Sequence, residues 1–194
     1  LSNGQTITIA VGETTGSVNY VAPNSPLAGG SSLSVTIDDA TGGNYEKLVV
    51  DGKSADTVVS DTTDTTNLNL SASDSVAEGG QITYTATLTN PAGTPVTVTL
   101  SNGATITIDA GKTTGTVTVD APKDDVYKDA GKVEVTIEGA TGGNFENLAP
   151  SAVPAVTNVT DTIDTSTVKL TADTSVAEGG TVTYTATVGA PVTG

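Results

Sequence analysis

The 194-residue chain has no cysteine, methionine, tryptophan, histidine or arginine, one phenylalanine (Phe145) and five tyrosines. Each absence removes a class of chemistry. Without Cys or His there is no zinc finger, iron–sulfur or haem ligation, thiol nucleophile or Ser-His-Asp triad. No disulfide is available, so packing must hold the fold. Seven lysines face 22 acids, giving a net charge of -15. That balance cannot form a basic stripe, so nucleic acid is not an expected partner. No apolar run reaches the ~20 residues of a membrane-spanning helix, so no membrane insertion is expected. What is present is Thr, Gly and Val, with 36% apolar and 15% charged residues, enough to fill a core and argue against disorder.

The chain repeats itself at a spacing of about 100 residues. Leu1-Ser2-Asn3-Gly4 recurs as Leu100-Ser101-Asn102-Gly103, and Thr41-Gly42-Gly43-Asn44-Tyr45-Glu46 as Thr141-Gly142-Gly143-Asn144-Phe145-Glu146. Ser75-Val76-Ala77-Glu78-Gly79-Gly80 returns unchanged at Ser175 to Gly180. The offset grows by one residue between Ala121 and Val135. So long a period suits one small domain per repeat, not a solenoid coil.

Within a repeat, apolar and polar residues alternate. Ile82, Tyr84, Ala86 and Leu88 fall on one face, and Thr83, Thr85, Thr87 and Thr89 on the other. This is the pattern of half-buried strands, and no segment has a helical period. Turn residues such as Ser101-Asn102-Gly103 separate the runs. The alternation predicts strand A at Asn67–Ala72, B at Gln81–Asn90, C at Val96–Ser101 and C′ or D at Ala104–Asp109. Strand E follows at Thr114–Asp120, F at Gly131–Glu138, and G within Asn147–Val159. About seven strands per repeat predict an all-β, tandem immunoglobulin-like sandwich. The polar runs at Asp61–Thr66 and Asp161–Ser166 mark boundaries. Residues 1–66 then hold strands C to G of one repeat, 67–166 a complete repeat, and 167–194 strands A and B of a third.

Taken together, Ser-Val-Ala-Glu-Gly-Gly before strand B, the Leu-Ser-Asn-Gly hairpin, Thr-Gly-Gly-Asn-Phe-Glu-Asn-Leu and the Asp-Thr-x-Asp-Thr linker resemble the tandem immunoglobulin-like repeats of giant RTX-type bacterial adhesins. The likeness is greatest to the large adhesins of biofilm-forming pseudomonads and covers the whole chain. It implies extender repeats of a type I-secreted, extracellular cell-surface protein used in attachment and biofilm formation, with calcium between repeats.

The residues supply their own candidates. Asp61/Asp64 and Asp161/Asp164 place two carboxylates in each short linker. Calcium takes six to eight oxygen ligands, carboxylate and carbonyl alike, and such a linker can supply both. The alternative is a solvated polar hinge. In a sandwich the A–B and E–F loops share an end with the exit linker. Glu78, Asp124, Asp125 and Asp129 are therefore expected beside Asp161 and Asp164. Crowded carboxylates repel, and a divalent cation removes the conflict. At the opposite end, Asn144 and Glu146 are candidates to complete a site with Asp61 and Asp64. For Asn144 the competing reading is a turn that simply needs positive φ.

The threonine rows read as the outer face of a sheet, since the period is too long for an ice-binding lattice. Carboxylate pairs without an aromatic platform give no basis for a glycosidase, and no enzyme is expected. The expected partners are neighbouring repeats. A rival function is a module whose repeats themselves grip polysaccharide or an abiotic surface. The end segments, being parts of repeats, predict head-to-tail strand complementation between molecules.

Overall fold

The structure is a computed structural model describing residues 1–193, all-β and without helix among them. Among the described residues no helix is long and apolar enough to cross a membrane. Two strands form in the first copy: β1 (Ser31–Val35) and β2 (Ala55–Val59), an antiparallel pair. The middle copy contributes β3 (Thr65–Ala72), β4 (Ser75–Ala77), β5 (Gln81–Leu88), β6 (Val96–Leu100), β7 (Thr105–Ile108) and β8 (Thr114–Asp120). It continues with β9 (Gly131–Val135), β10 (Ile137–Gly142), β11 (Asn147–Pro150) and β12 (Ala155–Thr160). The third copy has β13 (Val168–Ala172) and β14 (Tyr184–Val188).

The middle copy is built from three sheets, ordered β11-β3-β5-β8, β10-β6-β7 and β4-β12-β9. One core joins them. Leu68, Ile82, Tyr84, Ala86 and Leu88 pack with Val96, Val98, Leu100, Ile106, Ile108, Val135 and Ala155. These side chains sit at every second position of their strands, so each run buries one face and leaves threonine on the other. Val117 and Ile137 pack against this cluster half-buried. Gly115 lets β8 pass under β7, because a Cβ there would stand 2.2 Å from the Thr107 carbonyl oxygen.

Two expected strands are divided between sheets. Strand A is β3, beside β5, and the short β4 that follows it, outside the expected range, lies beside β12. Strand F breaks at Thr136, whose N–H donates to Ser101 Oγ at 3.0 Å while its carbonyl accepts the Ser101 N–H. Before the break β9 pairs with β12; after it β10 pairs with β6 through a register shift. Strand G becomes β11, parallel to β3, and β12, antiparallel to β9. Pro150 and Pro154 flank that interruption, and neither has an N–H to carry a ladder onward. Alternation specifies a face, not a partner, so it reads straight through a change of sheet.

Of the strands expected in residues 1–66, only the counterparts of β9 and β12 are paired. Residues 1–21 form no ladder in this chain, although Gly16 still meets the Thr8 carbonyl as Gly115 meets Thr107. The middle-copy partners of β7 and β8, which are β6 and β5, have no complete counterpart within residues 1–66. In the third copy, β13 and β14 repeat the β3–β5 register: Val168↔Val188 and Ala172↔Tyr184 answer Leu68↔Leu88 and Ala72↔Tyr84.

Candidate metal centre

Glu78 stands in the turn between β4 and β5 and is only 8% exposed. Its own N–H donates to the Thr160 carbonyl at the end of β12 (3.0 Å). The two glycines after it close the turn. Gly79 has φ 69°, which favours glycine, and its N–H reaches the Pro122 carbonyl at 2.7 Å. Ala121 N–H returns to the Gly80 carbonyl at 2.9 Å. The β4–β5 turn is thereby tied both to the linker after β12 and to the loop between β8 and β9.

Three carboxylates meet there. Glu78, Asp129 of the β8–β9 loop and Asp161 of the exit linker each offer an oxygen, all within 4.8 Å of one another. Asp124 lies close enough for its charge to act on Glu78, and its carboxylate accepts the Thr162 hydroxyl. Glu78 Oε2 and Asp161 Oδ1 are buried without a hydrogen-bond partner. Each buried orphan oxygen is costly, and two in one place are rare in native proteins. The hydrogen bond shared with Asp129 lifts the Glu78 pKa to about 7. Burial and the charges of Asp129, Asp161 and Asp124 add to the rise. The charges that raise this pKa are thus all negative. An oxygen-only donor set with no internal counter-charge fits a hard cation of the calcium type and offers no ligand that a softer metal prefers. The triad Glu78, Asp129 and Asp161 could hold a metal ion.

Two other residues expected here stand apart. Asp125 is exposed and accepts the Tyr127 N–H within its own loop at 2.7 Å. Asp164, three residues past Asp161, is exposed and outside the triad.

At the first linker a second group assembles across two copies. Glu146, between β10 and β11, accepts the Asp64 N–H and lies beside Asp61. Asp61 and Glu146, with Ala28, Thr62 and Thr63, line a shallow cleft. The Asp64 N–H lowers the pKa of Glu146, but burial and the neighbouring Asp61 and Asp64 outweigh it, and the net shift is upward. Glu146 Oε1 is a further buried oxygen without a partner. Asp61 accepts the Gly29 N–H at 2.9 Å, and Asp64 accepts the Asn24 side-chain amide at 2.7 Å. Asn144 has φ 52°, and its side-chain amide donates to the Ala28 carbonyl at 3.4 Å. Thr162 and the Gly29 N–H escaped the sequence reading. A backbone amide leaves no trace in a sequence, and one threonine among many in the linkers carries little signal.

No curated protein matches the chain. The family described as the LapA domain matches it twice, over residues 1–62 and 64–162. The two matches cover almost the whole chain and divide it at the acidic linker around Asp61 and Asp64. The chain therefore belongs to the LapA-domain family, as part of a large adhesion protein at the cell surface or secreted, a structural molecule and not an enzyme.

Proposed function

We propose that these residues are immunoglobulin-like extender repeats of an adhesin exported by type I secretion, stiffened by calcium at each inter-repeat junction and used in attachment and biofilm formation. The observation that carries the calcium reading is the pair of buried, unpartnered carboxylate oxygens on Glu78 and Asp161. The repeat adds a second argument. Asp61 and Asp161 are equivalent, and each meets acids from a different side. Asp161 meets Glu78 and Asp129 of the preceding copy, whereas Asp61 meets Glu146 of the following one. A junction flanked by two full copies then gathers both sets around one linker aspartate. The ion would supply charge neutralisation there, and by binding only the assembled junction it favours that arrangement by mass action.

The test is calcium titration against chelator, followed by thermal melting and by small-angle scattering of a polypeptide with several repeats. Calcium is expected to raise the melting temperature and lengthen the particle. Superimposable scattering profiles in calcium and chelator would rule out stiffening by the ion.

A further inference from the structure

Beside the acids, the first and middle copies also touch through uncharged groups. Leu27, in the loop before β1, forms a single antiparallel bridge with Phe145 of the middle copy. The Ala28 N–H donates to the Asn144 carbonyl at 2.9 Å, and the Glu146 N–H to the Pro26 carbonyl at 3.3 Å. Phe145 in turn packs on the core of its own copy. On the other side of Leu27 is the turn between β5 and β6. Its two methyl carbons stand 3.1 and 3.2 Å from where a Cβ on Gly93 would lie. Leucine 27 is thus wedged between two turns of the next repeat.

At the next junction the same loop position reaches the corresponding β5–β6-type turn with different chemistry. Tyr127 occupies the corresponding place in the longer β8–β9 loop, and its hydroxyl donates to the Pro191 carbonyl at 2.8 Å. Pro191 is the counterpart of Pro91, two residues before Gly93. Val126, Tyr127, Val188, Pro191 and Val192 wall one groove there.

We propose that this loop residue, Leu27 or Tyr127, is a peg by which each repeat docks on the end turns of the next and fixes their relative orientation without any ion. Its contacts are apolar or made by backbone and hydroxyl groups, and no carboxylate side chain takes part, so chelation has nothing to remove. The peg does not depend on the calcium reading: the acids add a second fastening at the same junction.

Nuclear magnetic resonance of the 194-residue chain in excess chelator tests this. A cross-peak between the Leu27 methyls and the Phe145 ring is expected, with the Ala28 and Glu146 amides protected from exchange, and calcium should leave both unchanged. Leu27→Ser should abolish the cross-peak and the protection while cross-peaks among Val98, Ile106 and Leu88 persist. Asp61→Asn should leave the peg intact. A cross-peak that emerges only with calcium, or amide protection that survives Leu27→Ser, would overturn the proposal.

Discussion

At the residue scale, Glu78 concentrates the electrostatic cost of the junction. Its folded pKa, about 7, lies above the ordinary glutamate value of 4.5. Between those values the folded chain binds more protons than the unfolded one, so metal-free stability falls as pH rises through this window. In chelator, the melting temperature of the middle repeat should therefore be higher near pH 5 than near pH 8. Glu78→Gln should flatten that fall and blunt the response to calcium. A melting temperature that climbs over the same range would show that Glu78 is not held in this environment. The two neighbouring aspartates separate cleanly. Asp124 acts on Glu78 and receives the Thr162 hydroxyl, whereas Asp125 serves its own loop. Asp124→Asn should weaken the calcium-induced rise in melting temperature, and Asp125→Ser should leave it nearly unchanged. Equal losses in the two variants would mean that the whole loop, not one carboxylate, tunes the site.

At the scale of the strands, burial decides which alternations matter. Val135 ends β9, is 2% exposed and lies where β9 gives way to β10. Val135→Ala should cost about 1–3 kcal/mol in chemical denaturation, combining lost burial with the cavity left behind. A loss under ~0.5 kcal/mol would place the core elsewhere. The same strand shows how far sequence reading reaches. Val133, Val135 and Ile137 alternate with polar residues along the expected strand F, and all three are at or against the core. Their division between two sheets was not legible, because it turns on Thr136 bonding Ser101, a contact 35 residues away. Parallel pairing of β11 with β3 and of β12 with β4 was equally hidden, since period two is the same for either direction. The acids fared similarly. Glu78, Asp129 and Asp161 could be brought together by asking which loops share one end of a sandwich. That Asp125 turns into its own loop depends on a local backbone bond the spacing does not reveal.

At the scale of the whole molecule, the two end copies expose faces that the middle copy buries. Leu170 is 70% and Tyr184 69% exposed, although Tyr184's counterpart Tyr84 is 1% exposed. Burying each such side chain fully is worth about 1.5–3 kcal/mol, a strong drive to find a cover. The middle copy indicates what that cover is. There β5 pairs along its length with β8, from Gln81↔Asp120 to Thr87↔Thr114. In the first copy the matching segment runs through Gly16, Val18 and Tyr20 and has no strand partner of its own. β14 of one molecule and that segment of another carry the same sequence relationship as β5 and β8. A polypeptide of these 194 residues should therefore associate head to tail, with β13 and β14 completing the first copy of its neighbour. The net charge of -15 opposes this approach, so salt should promote it by screening. Sedimentation velocity should show a series of species that lengthens with concentration and ionic strength. Tyr184→Asp, which buries a charge in any such joint, should return the chain to a single small species while the middle repeat keeps its melting temperature. A wild-type chain that stays monomeric at every concentration and salt level, with Leu170 and Tyr184 still solvent-accessible, would refute complementation.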